Sequence, residues 1–293
     1  MTGNSSRRAF MALACASAAL LAACGSGTIE SALTPSRFLS VGDAFSDLGQ
    51  SGARYTVNDG SAVSLWSEQI AASYGLTLKA SASGGLSYAQ GGARVTGAAP
   101  SIQTQVDTLL AANTLGASDI VLVNGGITDI VAEVTANGIS DTTTTNVKAA
   151  GTALGAQVRR MVAAGARQVV VVGPYNLGLS PWAVGLGQVA GLTELTNRFN
   201  EAFLISVVDL GANVLYVDAA LYFNLVQAAP SGYAMVNVTD KACTTPDALT
   251  CTASTIVPTI DYTKALFADG VNLTPAAHRL FGLNAYTKVR ERW

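Results

Sequence analysis

Two stretches of this chain carry side chains suited to acid–base or nucleophilic chemistry. In the first, Asp43-Ala44-Phe45-Ser46-Asp47, two carboxylates flank a serine where an apolar run gives way to a turn. In the second, Asp269, Asn272 and His278 lie close together near the end of the chain. Paired carboxylates can share acid–base work. At a strand end and helix start, however, an acid also complements the helix dipole, and Asp43 and Asp47 are read in that structural sense. His278 is the sole histidine, and the two cysteines of the domain, Cys243 and Cys251, form no second pair, so no zinc site is expected. The Gly-rich stretch 83–92 is a loop without the spacing or helix of a phosphate cradle. No cofactor is implied.

The elements that must position these residues alternate. Apolar runs suited to buried parallel strands recur at 37–41, 120–123, 169–172 and 213–217. Helix-like stretches lie at 63–74, 102–112, 146–164, 192–210 and 275–290. Thr274 before Pro275 combines a good N-cap with a good first-turn residue. Strands alternating with helices predict a three-layer α/β fold around a parallel sheet. Ligands of such sheets bind beyond the carboxyl ends of the strands, which directs attention to the loops after Val41, Val123 and Val172.

Four segments, in order, resemble the blocks of the GDSL/SGNH hydrolase family. Phe38 to Gly49 (FLSVGDAFSDLG) resembles the first, Ser87 to Ala93 (SYAQGGA) the second, Val121 to Ile130 (VLVNGGITDI) the third and Leu266 to His278 (LFADGVNLTPAAH) the last. Weaker echoes fall at 176–181, 199–200 and 232–243. The resemblance implies a three-layer α/β/α sandwich, the flavodoxin-like SGNH hydrolase fold, with a central parallel sheet of about five strands. It also implies a Ser-His-Asp ester hydrolase site. Carried over residue by residue, that site is incomplete. Ala44 stands where the family has its nucleophilic serine after Gly-Asp43, and Asn272 stands where it has its histidine. An amide is not basic near neutral pH and cannot take a serine's proton. Thr128 stands at the oxyanion asparagine, while Gly92 and Asp269 match the family. The alternative nucleophile and base are Ser46 and His278, each with a ready structural role, as a helix-start residue and a packing residue. Trp66, Trp182 and Tyr88 are candidates for lining the pocket, although aromatics serve cores as often as sites.

The first residues read as an address. Arg7 and Arg8 precede an apolar stretch from Phe10 to Ala23, too short to span a bilayer and suited to a signal sequence. It ends Leu21-Ala22-Ala23-Cys24, a lipoprotein processing site that would leave Cys24 lipidated. Ser6-Arg7-Arg8-Ala9-Phe10-Met11 also resembles a twin-arginine export signal. The organisation expected is a signal peptide over 1–23, a lipid-anchored tether over 24–36 and one SGNH-hydrolase-like domain over 37–293. The protein would sit in the bacterial cell envelope, on the outer membrane, facing periplasm or surface. In that oxidising compartment Cys243 and Cys251 are expected to form a local disulfide stabilising by roughly 2–3 kcal/mol. With a formal net charge of −2 and no basic patch visible in the sequence, nucleic acid is not an expected partner.

Three functions fit this reading. The first is a catalytically impaired pseudo-hydrolase that binds a small acyl, ester or glycan-type ligand. The second is an active but atypical ester hydrolase with a relocated nucleophile. The third is a structural envelope lipoprotein.

Overall fold

The computed structural model describes residues 31 and 33–293; the signal peptide and most of the tether, including Cys24, lie outside the described residues. Four strands form the central sheet: β1 (Arg37–Val41), β2 (Asp119–Asn124), β3 (Gln168–Val172) and β4 (Val214–Tyr216). They pair in parallel in the order β1-β2-β3-β4. Arg37 lies opposite Asp119, Ile120 opposite Gln168 and Val169 opposite Val214, so all four strands start at one pole. Val and Ile dominate these strands, and β2 is buried at every position, as a central strand covered on both faces must be. A fifth parallel segment flanks β1: Ser40 N–H donates to Leu86 O at 3.1 Å and Tyr88 N–H to Ser40 O at 2.7 Å. With it, the sheet has the doubly wound order in which the first strand sits inside the second.

The helices are α1 (Trp66–Ser73), α2 (Ile102–Ala112), α3 (Ile127–Asn137), α4 (Asp141–Ala163), α5 (Pro181–Leu186), α6 (Val189–Val207), α7 (Ala219–Ala228) and α8 (Pro275–Arg292). α1 packs on α8, while α4 packs on α6 and touches α2 and α3, so helices cover both faces of the sheet. Caps fix the starts. Ser101 Oγ accepts from Thr104 N–H at 3.2 Å, Ser140 Oγ from Thr143 N–H at 3.2 Å, and Thr274 Oγ1 from Ala277 N–H at 3.2 Å. A two-stranded parallel sheet, β5 (Asn237–Lys241) and β6 (Ala265–Phe267), carries the chain toward the last loop. No helix among the described residues is long and apolar enough to cross a membrane.

Candidate active-site cleft

The turn after β1 is a short 3-10 helix, Ala44–Ser46, capped by Asp43. Asp43 is wholly buried. Its Oδ1 accepts from Phe45 N–H at 3.1 Å and Asn124 Nδ2 at 2.6 Å, and its Oδ2 accepts from Thr128 N–H at 3.5 Å. Burial raises its carboxyl above the usual carboxylate range, and these donors pull it back only in part. Asn124 comes this close because residue 42 is glycine: a Cβ there would stand 1.9 Å from Asn124 Oδ1. Asp43 thus ties β1, β2 and the start of α3 together. Asp47 accepts from the N–H groups of Gly49, Gln50 and Gly91, at 2.9, 2.9 and 2.8 Å. Asp43 caps the start of the 3-10 helix, whereas Asp47 follows its end and holds loop backbone instead of complementing a helix start.

A cleft of about 380 Å³ opens beside this turn, at the carboxyl ends of the strands. Ala44, Gly92 and Thr128 line one side, and Asp269 and Asn272 another. The N–H groups of Ala44 and Gly92 and the hydroxyl of Thr128 make no hydrogen bond among the described residues. Three residues of one cleft therefore keep a donor for a ligand oxygen. Tyr55 and Trp182 supply aromatic wall, and the loop of Pro246 and Asp247 forms the rim. The Tyr55 ring fits against Gly91, where a Cβ would fall 1.9 Å from Tyr55 Cε2. Burial, with the Asp47 and Asp247 carboxylates nearby, pushes the Tyr55 hydroxyl above its ordinary range.

The opposite corner is saturated. Asp269 Oδ1 accepts from Val271 N–H at 2.8 Å and Asn272 N–H at 2.6 Å. Its Oδ2 accepts from Ala248 N–H and from Asn272 Nδ2, each at 2.8 Å. The Asn272 amide therefore makes the hydrogen bond to carboxylate that an imidazole would make in a triad, without a basic nitrogen behind it. The Ala248 contact comes from a loop closed by the Cys243–Cys251 disulfide, whose Cα atoms are 5.8 Å apart. That loop also carries Asp247 to the rim. Tyr175 Oη donates to Val271 O at 2.5 Å from beneath.

Ser46 and His278 lie elsewhere. Ser46 Oγ is buried and accepts from Trp66 Nε1 at 2.9 Å. The His278 ring stacks 4.8 Å from Phe45 and is 1% exposed. Burial, helped by the Arg279 charge, lowers it to about 3, so the ring is neutral in ordinary buffers. No hydrogen bond joins the two among the described residues, and neither lines the cleft. Trp66 is core rather than cleft, and Tyr88 lines a separate groove with Gln90 and Thr104. Tyr55 and Asp247 are cleft residues that the sequence does not single out; each belongs to a loop brought in by contacts distant in sequence.

Asp129 and Glu133 of α3 form a second polar cluster with Arg94. Arg94 Nη2 lies 2.5 Å from Glu133 Oε1, and Val95 N–H donates to both Asp129 oxygens. Burial pushes the Asp129 carboxyl up to about 6 despite these donors. Among the described residues no group of histidines, cysteines and carboxylates is placed to hold a metal ion.

The profile of the GDSL-like Lipase/Acylhydrolase family matches residues 38–284. Among solved structures, a catalytic mutant of an acetylxylan esterase from Geobacillus stearothermophilus is similar at a TM-score of 0.55 and 12% identity, over 89% of this chain and 96% of the other. A member of the lipolytic G-D-S-L family from Veillonella parvula gives a TM-score of 0.52 at 13% identity, over 87% and 98%. These two likenesses concern the fold. A Pseudomonas putida protein described as an uncharacterized protein in the trpE-trpG intergenic region is 26% identical over 149 residues, 50% of this chain; the chain covers 25% of that relative's length. Four ordered sequence blocks, a parallel sheet with its cleft at the strand ends and a family match over most of its length agree: the chain belongs to the GDSL-like lipase/acylhydrolase family.

Proposed function

We propose that this protein is an exported, lipid-anchored binding protein on a GDSL hydrolase scaffold, which holds a small acyl, ester or glycan-type ligand without turning it over. One observation carries the reading: Ala44 and Asn272 occupy the same cleft as Asp269, Gly92 and Thr128. The cleft keeps donors for a ligand oxygen and aromatic walls for its apolar part, but it has no serine at the family's nucleophile position and no histidine at its base position. In subtilisin, loss of the triad serine or histidine costs about 10⁶ in turnover, and its members act as a unit, so a double loss leaves little to rescue. A relocated nucleophile is disfavoured, because Ser46 is engaged by Trp66 and His278 is sealed among aromatic rings. Export and anchoring rest on the sequence alone, on Arg7, Arg8, the apolar stretch and Cys24.

The test is hydrolysis of short-chain p-nitrophenyl esters by the natural protein and by the triple variant Ala44→Ser, Thr128→Asn, Asn272→His. The expected result is background turnover by the natural chain and a gain of orders of magnitude in the variant. Brisk turnover by the natural chain would overturn the proposal.

A further inference from the structure

At the pole where the strands start, opposite the cleft, lies an apolar groove of about 330 Å³ between the end of α6 and the edge strand β4. Leu204, Ile205, Val208 and Val214 line it; Ile205 is 68% and Val208 77% exposed. Exposed aliphatic side chains gathered on one groove mark a candidate contact face. Two further observations say what it contacts.

The first is charge. Although the chain is net negative, cations collect at this pole. Arg159 and Arg160 pair with Asp209 and Asp107. Arg167, at the start of β3, and Arg290 and Arg292, in the last turn of α8, have no acidic partner among the described residues. Arg292 donates to Gly211 O, and Trp293 Nε1 donates to Ala212 O at 3.5 Å, so the end of α8 abuts the groove itself. The cleft itself is lined by two carboxylates, Asp247 and Asp269, and by no lysine or arginine. The second is connectivity. The chain reaches β1 at this same pole, where Ser36 N–H donates to Ser118 O at 2.8 Å. Arg37 lies thirteen chain steps after Cys24, a reach of at most roughly 45 Å.

We infer that this pole is a membrane-contacting face: Ile205 and Val208 enter the interface of an anionic lipid surface, and Arg167, Arg290 and Arg292 of the same pole supply positive charge toward it. Apolar insertion and cationic attraction add in such contacts, and each is weak alone. The cleft is thereby turned away from the bilayer. A second copy fits less well, since the groove exposes far less apolar area than the roughly 800 Å² per partner of a stable interface, and the unpaired arginines of this pole would face their own kind. The inference takes its occupant from the anchoring reading above but is tested separately from it.

The exported protein as isolated is used. The mass of its Cys24 peptide reports lipidation, whatever the pole does. An environment-sensitive fluorophore is then placed at Val208→Cys or, as a control at the cleft pole, at Val184→Cys, which is 62% exposed. Each is reconstituted with, or mixed with, phosphatidylcholine vesicles with and without phosphatidylglycerol. The expected result is a blue-shifted, lipid-quenchable signal from position 208 only, strongest with phosphatidylglycerol and weakened by salt. In the same assay on unlipidated protein, Ile205→Asp with Val208→Asp lowers vesicle partitioning by roughly tenfold or more. A label at 208 that stays in water, equal signals from both positions, or a blue shift that follows protein concentration without vesicles would each overturn the inference; the last would instead identify a contact between copies.

Discussion

The protein contains a serine, a histidine and a cleft, but not in one place. Ala44 and Asn272 face the cleft and lack the atoms for catalysis. Ser46 and His278 have the atoms and are walled into the core two and six residues away in sequence. The comparison teaches that reactivity needs both the right side chain and the right surroundings, and that neither pair of residues has both. Ser46 Oγ is an acceptor for an indole N–H, and His278 is a neutral ring against Phe45. At Asn272 the surroundings of a triad persist: the Asp269 carboxylate, the Tyr175 support below Val271 and the disulfide-closed loop. The carboxylate corner is therefore fully built around a residue that has no basic nitrogen.

The buried pair should govern stability and the cleft pair should not. The largest effect is expected at His278. Its folded value is lowered from 6.5 to about 3, so it contributes stability above pH 6.5 that is lost as pH falls toward 3. His278→Leu should remove that dependence, and the natural chain should lose up to about 4 kcal/mol relative to the variant over this window. Asp129, raised to about 6, acts the other way: its contribution is present below 3.8 and lost as pH rises through 6. Denaturant melts at several pH values separate the two, and parallel curves for natural chain and variant would break the comparison.

Next in size is the disulfide. Replacing Cys243 and Cys251 by Ser frees the short loop and should cost about 2.5 kcal/mol by the chain-entropy relation, read as a lower urea midpoint. Loss of the Ala248 contact to Asp269 should accompany it. Ser46→Ala leaves Trp66 Nε1 buried without an acceptor and should cost about 2 kcal/mol in the same melts. Smallest is Ala44→Ser, on the cleft wall, which should stay within about 0.5 kcal/mol of the natural chain. A large penalty there would mean that position 44 serves packing.

Much of this was legible in sequence where local rules suffice. β1 and α2 fall at 37–41 and 102–112, the spans the apolar pattern indicates. Thr274 caps α8 as its type and the following proline suggest. α4 starts at Asp141, earlier than the pattern suggests, because Ser140 caps a Thr-rich turn of low intrinsic helix propensity. α3, α5 and α7 are not among the helices the apolar spacing indicates; α3 opens directly from the family-like block that ends at Ile130, and α5 has only six residues. In the site, Ala44, Gly92, Thr128, Asp269 and Asn272 were visible through their ordered blocks, and all five line one cleft. Tyr55 was not, because its place depends on Gly91, 36 residues on, leaving room for its ring. Trp66 and Tyr88 show the converse: an aromatic near a motif in sequence need not face the site.

The central claim is most directly tested by covalent labelling with a fluorophosphonate, followed by intact mass and peptide mapping. This account predicts no adduct on the natural chain and a single adduct at position 44 in the Ala44→Ser, Thr128→Asn, Asn272→His variant. An adduct on Ser46 of the natural chain would contradict it, since the nucleophile would then have moved rather than gone.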